Sequence, residues 1–150
     1  MRLSNSKCNI VCRLLDLLSL LLLTAGCGNG LPQVTGLVTQ DGKPLATGGD
    51  TKISVVFQPA SGEGTPATAT TDENGEYQLS TGSQGGIAPG DYLVACSGVQ
   101  FSSAATASGI PSGKRIVDRK YGNVTTSGLR FTVNEGDNRF DIALKTPQKP

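Results

Sequence analysis

The sequence predicts an all-β fold, an antiparallel β-sandwich of about seven strands. Short apolar runs alternate with polar residues, which is the pattern of strands that bury one face. The chain has 20 glycines and 8 prolines among 150 residues, well above average usage, and turn signals separate the runs. No amphipathic helical repeat follows residue 26. Two sheets packed face to face bury such alternating faces, so a sandwich is expected.

Turn residues delimit seven expected strands. Asp41-Gly42 and Gly75 supply the positive φ that tight turns need, and Pro89-Gly90 turns the chain into the fifth run. The expected strands are 34–39, 53–57, 67–71, 76–80, 92–96, 129–134 and 139–144.

The chain divides into a signal segment (1–26), a short lipidated N-terminus and linker (27–32), a sandwich domain (33–145) and a flexible tail (146–150). Within the domain, residues 98–128 lack a clear period and are predicted to form a long loop region. The tail is assigned from its two prolines and its terminal position.

The first segment has the composition of a secretory signal. Arg2, Lys7 and Arg13 give it a positive start, and residues 17–23 are apolar apart from one serine. A transmembrane helix is the alternative, but Asp16 leaves an apolar stretch of only about 10 residues where a span needs about 20. We therefore expect this segment to be a signal peptide and the rest of the chain to be exported.

Residues 23–27, Leu-Thr-Ala-Gly-Cys, resemble the lipobox of bacterial lipoproteins. In that family the signal peptidase cuts before the cysteine, whose thiol receives a diacylglycerol. The resemblance implies lipidation at Cys27 and attachment to the cell membrane or the outer membrane, with the domain outside the cytoplasm. Thr24 stands where leucine is commonest, and a soluble secreted protein is the alternative.

Composition excludes several classes of function. The chain has no histidine, so the commonest general base and metal ligand are missing. Removing residues 1–26 takes away three basic and one acidic side chain and leaves 10 basic and 11 acidic ones, without the basic stripe of a nucleic-acid-binding domain. The densest basic cluster is interpreted as a solvated loop, with an anion-binding patch as the alternative. It comprises Lys114, Arg115, Arg119 and Lys120.

The acidic motif at residues 72–76 is interpreted as a β-turn. Asp72, Asn74 and Glu76 alternate like the first ligands of a calcium loop, but Tyr77 stands where that loop needs glycine and Ser83 where it needs a bidentate glutamate. We therefore predict no metal-binding, cofactor-binding or catalytic residue, no cofactor and no enzyme activity.

The large core residues are expected to be aromatic, with an aromatic binding stripe as the alternative. Cys96 lies in an apolar run and is predicted to pack in the core, because Cys8 and Cys12 fall in the signal and Cys27 is assigned to the lipid. The aromatic core candidates are Phe57, Tyr77, Tyr92, Phe131 and Phe140.

Four segments in a fixed order carry a family resemblance. They are Val34-x-Gly36-x-Val38, Asp41-Gly42-Lys43-Pro44-Leu45, Thr71-Asp72-Glu73-Asn74-Gly75-Glu76-Tyr77-x-Leu79 and Pro89-Gly90-Asp91-Tyr92. Together they resemble the carboxypeptidase regulatory-like domain, a transthyretin-like Greek-key β-sandwich, over residues 33–97. The C-terminal part is similar to small exported lipoproteins of planctomycete-type bacteria, through segments such as Asn138-x-Phe140-Asp141-Ile142. The resemblance implies a sandwich without catalytic residues.

These observations predict a lipid-anchored, non-enzymatic protein of the cell envelope. It is expected to act as a structural or protein-interaction module, with the membrane and an envelope protein as partners. The alternative is a small-ligand or glycan-binding lipoprotein that uses residues 98–128, because sandwiches place function in their loops.

Overall fold

The computed structural model describes residues 30–105 and 111–146, which form two packed β-sheets. The prediction of an all-β sandwich is confirmed, and no α-helix occurs within these residues. They also include a 3₁₀ turn at Arg119–Gly122. The strands are β1 Val34–Gln40, β2 Lys43–Pro44, β3 Thr51–Pro59, β4 Ala67–Thr70, β5 Glu76–Gln78, β6 Ser80–Thr81, β7 Gln84–Gly85, β8 Gly90–Ala105, β9 Pro111–Arg115, β10 Leu129–Val133, β11 Asn138–Arg139 and β12 Ile142–Leu144.

Strand β1 is the centre of the five-stranded sheet. On one edge it pairs antiparallel with β2 and β5, which places Gly36 opposite Tyr77. On the other edge it pairs parallel with β11 and β12, which places Val38 opposite Ile142. The sequence predicts antiparallel pairing, and this edge differs because the first and last strands of the domain meet there and run in the same direction. Apolar alternation fixes which face of a strand is buried, but it does not fix the direction of its neighbour.

The second sheet has seven strands in the order β10-β8-β3-β4-β6-β7, and β9 pairs with the distal part of β8. The chain passes from the first sheet to the second at Leu79, between β5 and β6. The Leu79 N–H donates to the Val34 carbonyl (2.9 Å), and the Leu79 carbonyl accepts from the Gly86 N–H (3.2 Å). This buried residue therefore joins the two sheets at one corner.

The tight turns form where the sequence predicts them. Asp41 and Gly42 have φ values of 50° and 80° and close the β1–β2 hairpin, in which Gln40 pairs with Lys43. Gly75 has a φ of 84° at the turn before β5. These conformations suit glycine and aspartate, so local sequence alone was sufficient to locate both turns.

The core lies between the sheets and is centred on Phe57. Its ring centroid lies 6.1 to 6.4 Å from those of Tyr77, Tyr92, Phe131 and Phe140. The five predicted aromatic residues thus form one cluster and not a surface stripe. Phe57, Tyr77 and Tyr92 are buried, and Phe131 and Phe140 stack on each other at 4.7 Å against the core.

Residues 98–128 differ from the predicted long loop. Strand β8 continues to Ala105, and β9 and the 3₁₀ turn follow within the described residues. The alternation of apolar and polar residues along β8 is obscured at Gly98. This glycine is buried and occupies an inward position, where a larger apolar residue would be expected. Its missing side chain makes room for Ile53 and Val117, since a Cβ there would lie 2.8 Å from a methyl group of each. From the sequence alone, Gly98 is therefore interpreted as a turn residue, although it lies within strand β8.

Several predicted features lie outside the described residues. These are the signal segment 1–26, the lipidation site Cys27 and residues 147–150 of the predicted tail. Thr146, the first residue of that tail, is described, and its N–H donates to the Asp41 carboxylate at 3.2 Å. Within the described part of the chain, no helix is long and apolar enough to cross a membrane.

Candidate functional site

The two ends of the sandwich carry different charges. We call the end where β1 begins, at Val34, the near end, and the end where β1 finishes, at Gln40, the far end. Strand register places Asp91 and the loops that hold Glu63, Glu135 and Asp137 at the near end. Most basic residues lie toward the far end, where they outnumber the carboxylates Asp41, Asp50 and Asp118. They are Lys43, Lys52, Lys114, Arg115, Arg119, Lys120 and Lys145.

The predicted basic cluster is divided between β9 and the 3₁₀ turn. Lys114 and Arg115 are adjacent in β9, so their side chains point to opposite faces of the sheet. In the 3₁₀ turn, the Lys120 ammonium lies 4.7 Å from the Tyr121 ring centroid, and the Lys120 N–H donates to the Asp118 carboxylate (2.9 Å). The cluster does not converge on one pocket, which favours the solvated interpretation.

The acidic motif at residues 72–76 is built as a turn. One oxygen of the Asp72 carboxylate accepts the backbone N–H groups of Glu76 and Asn74, each at 2.8 Å. These two hydrogen bonds, the one from Glu76 first, lower the pKa of Asp72 below its ordinary value of 3.8. Among the described residues, no group of three acidic or cysteine side chains is placed to hold a metal ion. The carboxylate therefore orders the chain reversal before β5.

A polar groove of about 510 Å³ runs beside this turn on the first sheet and contains Glu76 and Arg139. Arg139 forms an exposed ion pair with Asp141 (3.1 Å), and Asp141 also accepts the Leu37 N–H at 2.9 Å. Asp141 therefore links β1 to the segment between β11 and β12, which is a structural use of the carboxylate. An exposed ion pair of this kind contributes about 0 to 1 kcal/mol to stability.

The buried groups that could react are held in their neutral forms. Cys96 is fully buried, as predicted, and burial raises the pKa of its thiol to about 12. Burial also raises the pKa of the Tyr77 hydroxyl, which donates to the Phe140 carbonyl at 2.6 Å. A thiol that is neither ionised nor accessible is a poor nucleophile. Both side chains therefore serve packing and hydrogen bonding.

A groove of about 560 Å³ opens at the near end and includes Leu31, Ala60 and Tyr92. The chain is fixed to the body here, because the Pro32 carbonyl accepts the Ile87 N–H at 3.0 Å. A side chain at Gly86 would lie 2.6 Å from the Leu31 carbonyl, so the two segments are in close contact. Leu31 and Pro32 are thus packed against the folded body.

Sequence reasoning missed three residues in the region assigned to a loop. Tyr121 is buried and its hydroxyl accepts the Lys145 N–H (3.3 Å), and the buried Ser127 hydroxyl donates to the Val94 carbonyl (2.5 Å). Phe101 is 42% exposed, the one large hydrophobic residue so exposed in the described part of the chain. For Tyr121 and Phe101, the available sequence signal was a single aromatic residue among polar residues.

Comparison with known proteins leaves the family open. No protein-family model matches the chain, and no curated protein matches it. Among solved structures, a 9R-lipoxygenase from Cyanothece PCC8801 is similar over 78% of this chain, with 13% identity and a TM-score of 0.35. This chain covers 16% of the lipoxygenase chain. A likeness this weak carries no argument about activity.

Proposed function

We propose that this chain is a lipid-anchored, non-enzymatic β-sandwich of the bacterial cell envelope that acts as a structural or protein-interaction module. It is exported, its signal peptide ends at residue 26, and a lipid on Cys27 holds the domain on a membrane outside the cytoplasm. The domain is of the carboxypeptidase regulatory-like type. It works without a cofactor, and its partners are the membrane and another envelope protein.

One observation supports this proposal: Leu31 and Pro32, four and five residues after Cys27, are already in contact with the folded body. Leu31 and Pro32 already contact the loop at Gly86 and Ile87. A folded domain that starts directly behind a lipobox-like cysteine is the arrangement expected of a domain built to be carried by that lipid. Two long acyl chains would supply enough buried CH₂ groups for stable attachment.

The chemistry of the described residues supports a non-enzymatic role. Asp72 and Asp141 accept backbone hydrogen bonds that order the fold. The one described cysteine, Cys96, is buried with a raised pKa. Carboxylates that act in acid–base catalysis usually have a pKa raised toward neutrality, and the shifts at Asp41 and Asp72 are downward.

Replacement of Cys27 tests the proposal in cells. Cys27→Ser should move the protein from the membrane fraction to the soluble fraction and remove the lipid mass from its N-terminal peptide. Cys96→Ala is the matched control, because it removes the buried cysteine and leaves the anchor. If Cys27→Ser protein still sediments with membranes and is still acylated, the proposal is wrong.

Ligand or glycan binding is the second candidate. The described part of residues 98–128 contributes Gln100, Phe101 and Lys114 to an open groove of about 260 Å³, where an exposed aromatic ring lies beside polar side chains. This volume is below the roughly 300 to 1,000 Å³ of usual ligand pockets. A thermal-shift screen against glycans and metabolites tests this candidate, and no stabilisation across the panel would count against it.

A further inference from the structure

The outer face of the seven-stranded sheet combines apolar and basic side chains. Tyr92, Val94 and Cys96 of β8 point into the core, so Leu93 and Phe101 lie on the opposite, outer face. Leu93 is half-buried and Phe101 is exposed. The Phe101 ring stays uncovered on the β9 side, because its cross-strand partner there is glycine.

Three cations lie on this face. Lys52 of β3 and Arg115 of β9 are the two cross-strand neighbours of Val99, which places them on either side of it. Arg130 of β10 pairs with Leu93, about 20 Å further along β8. All three side chains are exposed.

The face carries one carboxylate among its described strands. Asp91 lies on it opposite Thr132, whose hydroxyl donates to the carboxylate at 2.6 Å. The other near-end carboxylates lie in loops beyond the strands, at Glu63, Glu135 and Asp137. The strands of this face carry three cations and one carboxylate and are therefore net positive, while the near-end loops are negative. Asp50, in the turn before β3, adds one carboxylate in the groove that contains Phe101.

The attachment of the chain brings the near-end edge of this face close to the membrane, if Cys27 carries the lipid as proposed above. Cys27 and Leu31 are four residues apart, so the chain between them spans at most about 14 Å. Leu31 lies in the same groove as Asp91 and Tyr92 at the start of β8. A tether this short keeps the sheet at an effective concentration of about millimolar at the bilayer, so weak contacts are sufficient to orient it.

We infer that the outer face of the seven-stranded sheet lies against the anionic lipid surface that carries the anchor. Each basic residue near such a surface strengthens the contact about fivefold. Phe101 is positioned to enter the interfacial region beside Lys52 and Arg115. An end-on arrangement would instead bring the near-end carboxylates against negative lipid.

The chain contains no tryptophan, so a single introduced tryptophan reports its own surroundings. The purified lipidated protein is reconstituted in vesicles of phosphatidylglycerol and brominated phosphatidylcholine. Phe101→Trp should be quenched several-fold more strongly than Ala143→Trp. Ala143 is exposed between buried Ile142 and Leu144, which places it on the outer face of the other sheet.

Charge variants on the Phe101→Trp background identify the cause. Joint replacement of the three face cations, Lys52, Arg115 and Arg130, by serine should weaken the face contact about a hundredfold and reduce quenching to the Ala143→Trp level. The matched control replaces Lys43 and Arg139 of the five-stranded sheet, and Lys145 directly after β12, by serine and should leave quenching unchanged.

The outcomes separate this inference from the proposed function. Mass spectrometry of the N-terminal peptide and vesicle flotation report the anchor, and a protein without acylation overturns both ideas. An acylated protein that floats with vesicles but shows equal quenching at the two positions, or stronger quenching at Ala143→Trp, overturns the face contact alone. Quenching that survives loss of Lys52, Arg115 and Arg130 also overturns it.

Discussion

The replacement Gly36→Ala tests how tightly the first sheet closes. A Cβ on Gly36 would lie 1.9 Å from the Phe140 carbonyl oxygen and 2.8 Å from a ring carbon of Tyr77. The obstruction is mostly backbone, so the Phe140 segment must move away from β1. That movement breaks the hydrogen bond from the Tyr77 hydroxyl to the Phe140 carbonyl (2.6 Å) and strains the one from the Phe140 N–H to Thr35 (2.9 Å).

The expected destabilisation combines overpacking with loss of a partly buried hydrogen bond. Overpacking costs about 1 to 3 kcal/mol, and an unsatisfied buried group costs about 1 to 3 kcal/mol more. We therefore expect Gly36→Ala to lower the free energy of unfolding by about 3 kcal/mol or more, and Tm by about 10 °C or more.

Urea and thermal unfolding of the soluble domain, followed by circular dichroism, measure this loss. Gly122→Ala is the control, because no atom lies within 4 Å of its added Cβ and its backbone is not in the left-handed region. Equal stability of the two variants would refute the close approach of β1 to Phe140. Adding Tyr77→Phe to each of the two glycine variants shows whether the Tyr77 hydroxyl and the methyl group of the introduced alanine affect the same contact.

Two further predictions concern titratable groups. The depressed pKa of Asp72 means that its contribution to stability is present above its ordinary value of 3.8 and is lost as pH falls through the folded-state pKa. Asp72→Asn keeps an acceptor at the turn, so its free energy of unfolding should depend less on pH over this acidic range than that of the wild type. Urea unfolding measures both proteins at several pH values, and an equal pH dependence of the two would contradict the role assigned to the Asp72 carboxylate. Cys96, with a thiol pKa near 12, should resist thiol reagents in the folded protein and react only as the domain unfolds; rapid labelling under native conditions would show that the thiol is accessible.

The sequence predicted those parts of the fold that depend on local pattern. Alternation identified β1, β3 and β10, and turn chemistry located the reversals at Gly42 and Gly75. Local pattern did not predict the distal half of β8, because Gly98 is buried by contact with Ile53 and not by its own side chain. The parallel pairing of β1 with β12 was also missed, since it joins residues about a hundred positions apart.

The candidate interaction surface was less predictable than the core. Phe101 lies among Ser and Gln residues, where a single aromatic residue gives no periodic signal. Lys52, Arg115 and Arg130 are distant in sequence and share a face only because β3, β9 and β10 pair with β8. The order of strands in the sheet determines which residues share this surface. The pattern of a single sequence does not specify that order.

The topology also suits a domain held at its N-terminus. If Cys27 carries the lipid as proposed, β1 is the first described strand after the tether. It lies at the centre of its sheet, with β2 and β5 on one edge and β11 and β12 on the other. Hydrogen bonds between strands lie across the strand axis, so a pull along β1 loads both edges in shear at the same time. Had the tether continued into an edge strand, the same pull would have opened its hydrogen bonds one after another. The parallel pairing that the sequence pattern did not predict therefore gives β1 support on its second edge.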